Sequence, residues 1–179
     1  MAEVLTIGHS NAPIEHVLVL PAERHVELVV DMRSVPRSRI PQFNALALDR
    51  ALRGEQIGYA SFGTTLDGRP EVPELYDAVR HVRHVRHGRL AATAAFTASI
   101  ARLEKTAARR VVAILCAEEA PDDCHRHLLI GRVLASRGVG VGHLCHDGTL
   151  ESYQTVVERT RPASRRSFVS RRRGAWCGR

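Results

Sequence analysis

The sequence predicts an α/β domain of three layers, with a mostly parallel sheet of about five strands between helices. Three observations lead there. Short apolar runs, among them 4–7, 28–30 and 111–115, alternate with stretches of helical spacing, and strands alternating with helices imply crossover connections and a parallel sheet. The runs at 28–30 and 111–115 are continuously apolar, as strands covered on both faces are. The chain has 179 residues, 44% of them hydrophobic, which is enough to bury a core without staples. Aromatic residues make up only 4%, so Val, Leu, Ile and Ala must fill that core.

Each element follows in turn. Residues 4–7 form the first strand and 8–11 a turn. Pro13 sits near the start of a helix, where its missing N–H costs nothing. Ile14, Val17, Leu18 and Leu20 give that helix an apolar face. The strand at 28–30 ends in Asp31-Met32-Arg33-Ser34, followed by Pro36 and Pro41. A helix over 44–53, with Leu46 and Leu48 inward, stops at Gly54. Residues 57–62 read as the third strand and 63–73 as a long irregular loop of functional or disordered type. Two helices are expected at 74–86 and 93–106, then a central strand at 111–115. An acidic loop over 116–123 precedes a helix over 125–137 that ends at Gly138. A last strand covers 139–144, and Asp147-Gly148 signals a turn. Sheets of this Rossmann-like kind bind ligands outside the carboxyl ends of their strands. The loops at 8–11, 31–39, 116–126 and 144–148 are selected by that rule.

The net charge of +7 is unevenly spread. Eight arginines and no acids lie between 159 and 179, while the first 158 residues carry 18 Lys and Arg against 19 Asp and Glu. The expected organisation is one α/β domain over 1–158 and a basic, flexible tail over 159–179. No apolar run approaches the roughly 18 residues of a membrane span, and the start lacks a basic segment followed by an apolar one. A cytoplasmic location is expected, with no membrane partner. Cys116, Cys124, Cys145 and Cys177 then read as reduced thiols.

The segment Cys116–Arg126 carries the strongest chemical signal. Two readings of Cys116 stand, a small apolar residue ending a buried strand or a reactive thiol. Cys124 and His125 lie near a helix amino terminus, where the dipole lowers a thiol pKa and favours anions. Cys124 is therefore the better nucleophile, although Glu118, Glu119, Asp122 and Asp123 oppose its ionisation. Asp31 and Arg33 read either as a buried pair that organises the pocket or as a site where Arg33 forks onto a carboxylate or phosphate. Arg37, Arg39 and Arg126 would assist, and Ser34 and Ser38 would donate hydrogen bonds. A strand followed by Asp-x-Arg, with a later strand ending in Cys, invites comparison with sulfurtransferases and cysteine phosphatases. Their cradle needs an Arg six residues after the Cys; position 122 is Asp, so that chemistry is rejected for Cys116. Cys116, Cys124, His125, His127, His143 and Cys145 are soft metal ligands, but their spacing matches no zinc finger or ribbon, and no metal ligand is assigned. His81, His84 and His87 read as a solvated helical stripe. The tail lacks the interleaved aromatic residues of a nucleic-acid surface.

Several strings resemble one known family. They are T-I-G-H-S-N at 6–11, V-D-M-R-S-V-P-R-S-R at 30–39, L-C-A-E-E-A-P-D-D-C-H-R-H at 115–127 and G-V-G-V-G-H-L at 138–144. Together they are similar to the family called domain of unknown function 488. The resemblance implies a small α/β fold. It makes His9, Ser10, Asp31, Arg33, Ser34, Pro36, Ser38, Cys116, Glu118, Cys124, His125 and Arg126 the motif residues, and it implies no reaction. The chain departs from the family in the segment after the third strand. Members carry a Leu-Gly-Gly-Arg-like stretch there, whereas this chain has G-T-T-L-D-G-R-P at 63–70, in a loop expected to cover the pocket.

The leading expectation is a small enzyme of uncharacterised chemistry acting on an anionic or nucleotide-like ligand, with its cofactor unknown. His125, Glu118 or Asp31 would serve as acid or base and Cys124 as nucleophile. Arg33, Arg39 and Arg126 would bind the anion, and His9, Ser10, Asn11, Ser34, Ser38 and Cys116 would complete the site. The alternatives are a nucleic-acid-binding accessory protein that uses its tail, or a metal-stabilised module.

Overall fold

The computed structural model describes residues 2–36, 38–79 and 82–161. Its main sheet has six strands in the order β3-β2-β6-β1-β7-β8. These are β1 (Glu3–Gly8), β2 (Leu28–Asp31), β3 (Gly58–Ser61), β6 (Val112–Cys116), β7 (Gly140–Leu144) and β8 (Leu150–Ser152). The first five in spatial order are parallel. β8 adds antiparallel to β7.

Alternation along the strands sorts the core into two halves. On one face Leu5, Ile7, Val29, Ala113 and Leu115 pack with Val17 and Leu20 of α1 (Ile14–Glu23) and with Leu48 and Leu52 of α2 (Ala45–Gly54). On the other, Val4, Val30, Val112, Ile114 and Cys116 pack with Phe96, Ile100 and Leu103 of α5 (Ala94–Ala107) and Leu134 of α6 (Arg132–Ser136). The result is the expected three-layer α/β fold, with the apolar run at 112–116 fully buried between the layers. Thr93 caps α5 by accepting a hydrogen bond from the Phe96 N–H, a position that Thr favours.

Four expectations need correction. Leu46 is 62% exposed and only Leu48 of the pair faces inward. The segment expected as a helix over 74–86 is instead a hairpin, β4 (Tyr76–Val79) against β5 (Val82–Val85). Its polar residues at spacing three mimic a helical stripe, but Tyr and Val at 76, 79, 82 and 85 are strand formers. The histidine stripe therefore does not exist as a helix face; His81 lies outside the described residues, and His87 opens the short helix α4 (His87–Ala91). The helix expected over 125–137 begins with a π-helical stretch, Arg126–Gly131, before α6. Inside the loop 63–73 a short helix, α3 (Gly63–Leu66), packs Leu66 into the core.

Beyond the Asp147-Gly148 turn, the sheet ends in β8 and α7 (Tyr153–Thr160). Arg159 belongs to α7, where it pairs with Glu151 and with Asp122 of the acidic loop. It is therefore part of the folded unit, one residue past 158. Cys116 and Cys124 are free thiols as expected, and Cys177 lies outside the described residues. Residues 162–179, and with them most of the basic tail, lie outside the described residues. Among the described residues no helix is long and apolar enough to cross a membrane.

Candidate functional site

The carboxyl ends of β1, β2 and β6 open onto one pocket of about 580 Å³. The loop after β1 is tied to the loop after β6, since the His9 and Ser10 N–H groups donate to the carbonyls of Cys116 and Ala117 at 3.0 and 2.8 Å. These bonds continue the β1–β6 ladder past Gly8 and Cys116. Ser10 takes a left-handed backbone (φ 42°) at the turn. Ten of the residues singled out in the sequence line the pocket: His9, Ser10, Asn11, Arg33, Ser34, Ser38, Arg39, Glu118, Cys124 and His125.

Asp31, Cys116 and Arg126 do not line it. Asp31 is fully buried and grips Arg33 twice, through the Arg33 Nε–H at 2.9 Å and an Nη2 contact. The Arg33 backbone N–H and the Tyr59 hydroxyl also donate to Asp31, at 3.0 and 2.7 Å. With both carboxylate oxygens occupied, Asp31 is an anchor and not the expected acid or base. Burial and the bond to Asp31 push the Tyr59 phenol well above its usual range. Arg33 also donates through Nη1 to the Phe43 carbonyl at 2.8 Å and lies 3.2 Å from His9 Nε2. Most of its donors are spent internally, so its role is to brace the pocket floor. His9 is buried and stacked on Phe43 at 4.3 Å. Burial lowers its pKa, and its Nδ1 lies 2.9 Å from the Ser10 carbonyl, which suits a neutral ring with the proton on Nδ1.

Arg126 was expected to bind the anion, but it is 1% exposed and turned into the protein. Its two terminal nitrogens donate to the carbonyls of Glu118 and Glu119. A charge-assisted clamp of this kind fixes loop geometry, so Arg126 holds the acidic loop where it can present Glu118. On the far side of that loop, His146 donates from Nε2 to the Gly8 carbonyl at 2.6 Å.

The reactive groups meet at one wall. Cys116 Sγ lies 3.6 Å from His125 Nε2, and His125 Nδ1 lies 3.9 Å from both sulfurs. Cys124 Sγ lies 3.4 Å from Glu118 Oε2. Burial, together with the neighbouring Cys124, pushes the Cys116 thiol up. The hydrogen bond from Cys116 lowers the Cys124 thiol against the opposing effect of burial, with His125 and Arg126 adding positive potential. The nearby Glu118 carboxylate works the other way, and as a thiol Cys124 donates to it instead. Ionising this thiol therefore places two negative groups 3.4 Å apart unless positive charge intervenes.

His87 also lines the pocket, a place not legible in the sequence because the hairpin before it carries polar residues at helical spacing. Asp67, Gly68 and Arg69 also line the cavity, from the loop expected to cover it. A Cβ at Gly68 would sit 2.5 Å from the His125 ring, so only glycine lets this loop lie on that imidazole.

His127 and His143, weighed as metal ligands, are engaged elsewhere. His143 Nδ1 bonds Thr6 Oγ1 at 2.7 Å and its Nε2 meets His127 Nδ1 at 3.1 Å, all three residues buried. Burial holds His143 at a pKa of about 3, with Arg126, His127 and Arg159 adding to the effect. Its ring stays neutral in the folded state, while in the unfolded chain it takes a proton near pH 6.5. The unfolded state thus binds more protons below that pH, and stability falls as pH falls toward 3. Between pH 7 and 5 this histidine alone should cost about 2 kcal/mol. Urea unfolding at both pH values should show a smaller difference in His143→Gln than in the wild type; an unchanged difference would refute the assignment.

Fold and site together define a three-layer α/β protein with a thiol- and histidine-walled pocket at the carboxyl edge of its sheet. Residues 13–133 match the family described as Domain of unknown function DUF488, and the chain belongs to it. No curated protein and no solved structure matches the chain.

Proposed function

We propose that the protein is an enzyme acting on a small anionic or nucleotide-like ligand held in the pocket at the carboxyl edge of the sheet. The reading is carried by one observation: Glu118, Cys124 and His125 share the wall of a 580 Å³ cavity that Arg39 and Arg69 also line. Pockets of this size suit small molecules. Among the described residues Arg39 and Arg69 make no ion pair, unlike Arg33, so their charge is available to a phosphate or carboxylate. The reacting centre is the group formed by Cys124, His125 and Glu118, with Cys116 behind it. Asp31, Arg33 and Arg126 hold that centre in place.

A ligand screen over nucleotides and small phosphorylated or carboxylated compounds, read by thermal shift, tests this. Removing both free cations, in Arg39→Ala with Arg69→Ala, should weaken the best ligand by about tenfold or more, which is roughly 1.4 kcal/mol. Cys124→Ser should abolish turnover of that ligand while the fold survives. A double variant that binds as the wild type does, or a Cys124→Ser enzyme at full rate, would defeat the proposal.

A further inference from the structure

Cys116, Glu118, Cys124 and His125 each offer one ligand atom, and these atoms all lie within 4.8 Å of one another. We propose that this group binds a zinc-class divalent cation at the wall of the pocket. The donor set is the first argument. Two cysteine sulfurs, which bind as thiolates once the ion displaces their protons to solvent, an imidazole and a carboxylate suit a borderline-soft ion such as Zn²⁺ and suit Mg²⁺ or Ca²⁺ poorly.

The spacing is the second. A tetrahedral ion with ligand bonds of about 2.0–2.3 Å holds its ligand atoms about 3.3–3.8 Å apart. With His125 binding through Nδ1, that nitrogen lies 3.9 Å from each sulfur, and Cys124 Sγ to Glu118 Oε2 is 3.4 Å. All four ligand atoms lie within 4.8 Å of one another, so the widest pair must close by about 1 Å to complete a tetrahedral shell.

The third argument is the scaffold. Cys116 is fixed by its place at the end of buried β6. The carbonyl of Glu118 is clamped by Arg126, and the His125 ring is pressed by Gly68 from the loop above. Cys116 and Cys124 are shielded from solvent at 0% and 1% exposure, whereas Glu118 is exposed at the pocket. Glu118 is thus the ligand best placed to yield to a water or a substrate oxygen. The Arg126 guanidinium, clamped to the Glu118 and Glu119 carbonyls, offsets part of the negative charge of the ligand set.

The inference shares its centre with the proposed function but does not depend on the identity of the ligand. With the ion bound, Cys124 is a metal ligand, and the ion is the electrophile facing the cavity.

The test uses the full chain, stripped with a chelator and reloaded with Zn²⁺ or with Co²⁺, whose thiolate bonds absorb in the near ultraviolet. Metal content after dialysis should be one ion per chain, with the cobalt–thiolate band present. Cys124→Ser and His125→Ala should each weaken binding about 100-fold or more, beyond the 10–100-fold typical of losing a supporting neighbour. His16→Ala, at an exposed position on α1, should bind as the wild type does. Circular dichroism checks the folding of each variant, and Glu118→Gln, at an exposed position, supplies a further ligand change expected to lower affinity. Wild-type protein without retained metal or the cobalt band would overturn the proposal, as would ligand variants that bind no worse than His16→Ala. One bound ion in a chain that binds no pocket ligand would leave this inference standing and remove the proposed function; ligand turnover by metal-free protein would do the reverse.

Discussion

Asp31→Ala should destabilise the protein by about 3–5 kcal/mol, the usual cost of removing one partner from a buried ion pair. Asp31 is 0% exposed and Arg33 only 7%. Without the carboxylate, the Arg33 guanidinium keeps the Phe43 carbonyl and the His9 ring as partners but has no countercharge. Tyr59 also loses its acceptor. The cost comes less from the lost attraction than from a desolvated charge left without an opposite one. Tyr59→Phe offers the comparison, since removing one donor to the carboxylate should cost about 1.5–3 kcal/mol. Equilibrium urea unfolding at pH 7 measures both. If Asp31→Ala loses no more than Tyr59→Phe, the pair does not hold the pocket floor as described. If the pair does hold it, an Asp31→Asn protein that folds should show a loosened pocket, read as faster alkylation of Cys124.

The order of strands and helices was largely legible because buried parallel strands leave continuous apolar runs. Residues 111–115 announce the central strand by composition alone. The hairpin at 76–85 was not legible, since its Val and His residues recur at intervals that fit a helix as well as a short strand. Its pairing is decided by cross-strand partners such as Tyr76 and Val85, which a local pattern does not contain. The strand and helix after the Asp147-Gly148 turn also escaped notice, because β8 has three residues and gains its stability from β7.

The site shows a similar division. The rule that ligands bind at strand carboxyl ends placed ten residues at the pocket from sequence. It did not separate groups facing the cavity from groups facing the protein. Arg33 and Arg126 looked like anion binders because free arginines and structural arginines are identical in sequence. What distinguishes them is whether acceptors lie within reach: Asp31 and the Phe43 carbonyl for one, the Glu118 and Glu119 carbonyls for the other. Cys116, Cys124 and His125 stand out in the sequence as candidate soft ligands, but the place of Glu118 beside them does not. It depends on the acidic loop folding back over the end of β6, and the clamp that folds it comes from Arg126, one residue beyond the cluster.

Gly8→Ala should cost about 3 kcal/mol or more and disassemble the reactive wall at the same time. Gly8 is the last residue of β1, paired with Cys116. A Cβ there would sit 1.6 Å from the Glu118 carbonyl oxygen and 2.7 Å from Arg126 Nη1. No rotamer relieves a contact with backbone, so the 117–119 loop must move. Overpacking alone costs about 1–3 kcal/mol. Displacing the loop also removes acceptors from a buried guanidinium, at about 1.5–3 kcal/mol for a bond to a charged group. Gly88→Ala supplies the control: a Cβ at Gly88 meets nothing within 4 Å, and in short α4 the change should be neutral or stabilise by up to about 1 kcal/mol. Urea unfolding separates the two energetically. Thiol alkylation separates them structurally, because Cys124, 1% exposed in the intact site, should react faster in Gly8→Ala than in Gly88→Ala. Equal stability and equal alkylation rates in the two variants would mean that the loop tolerates displacement, and that the approach of Gly8 to Glu118 is not what holds the wall together.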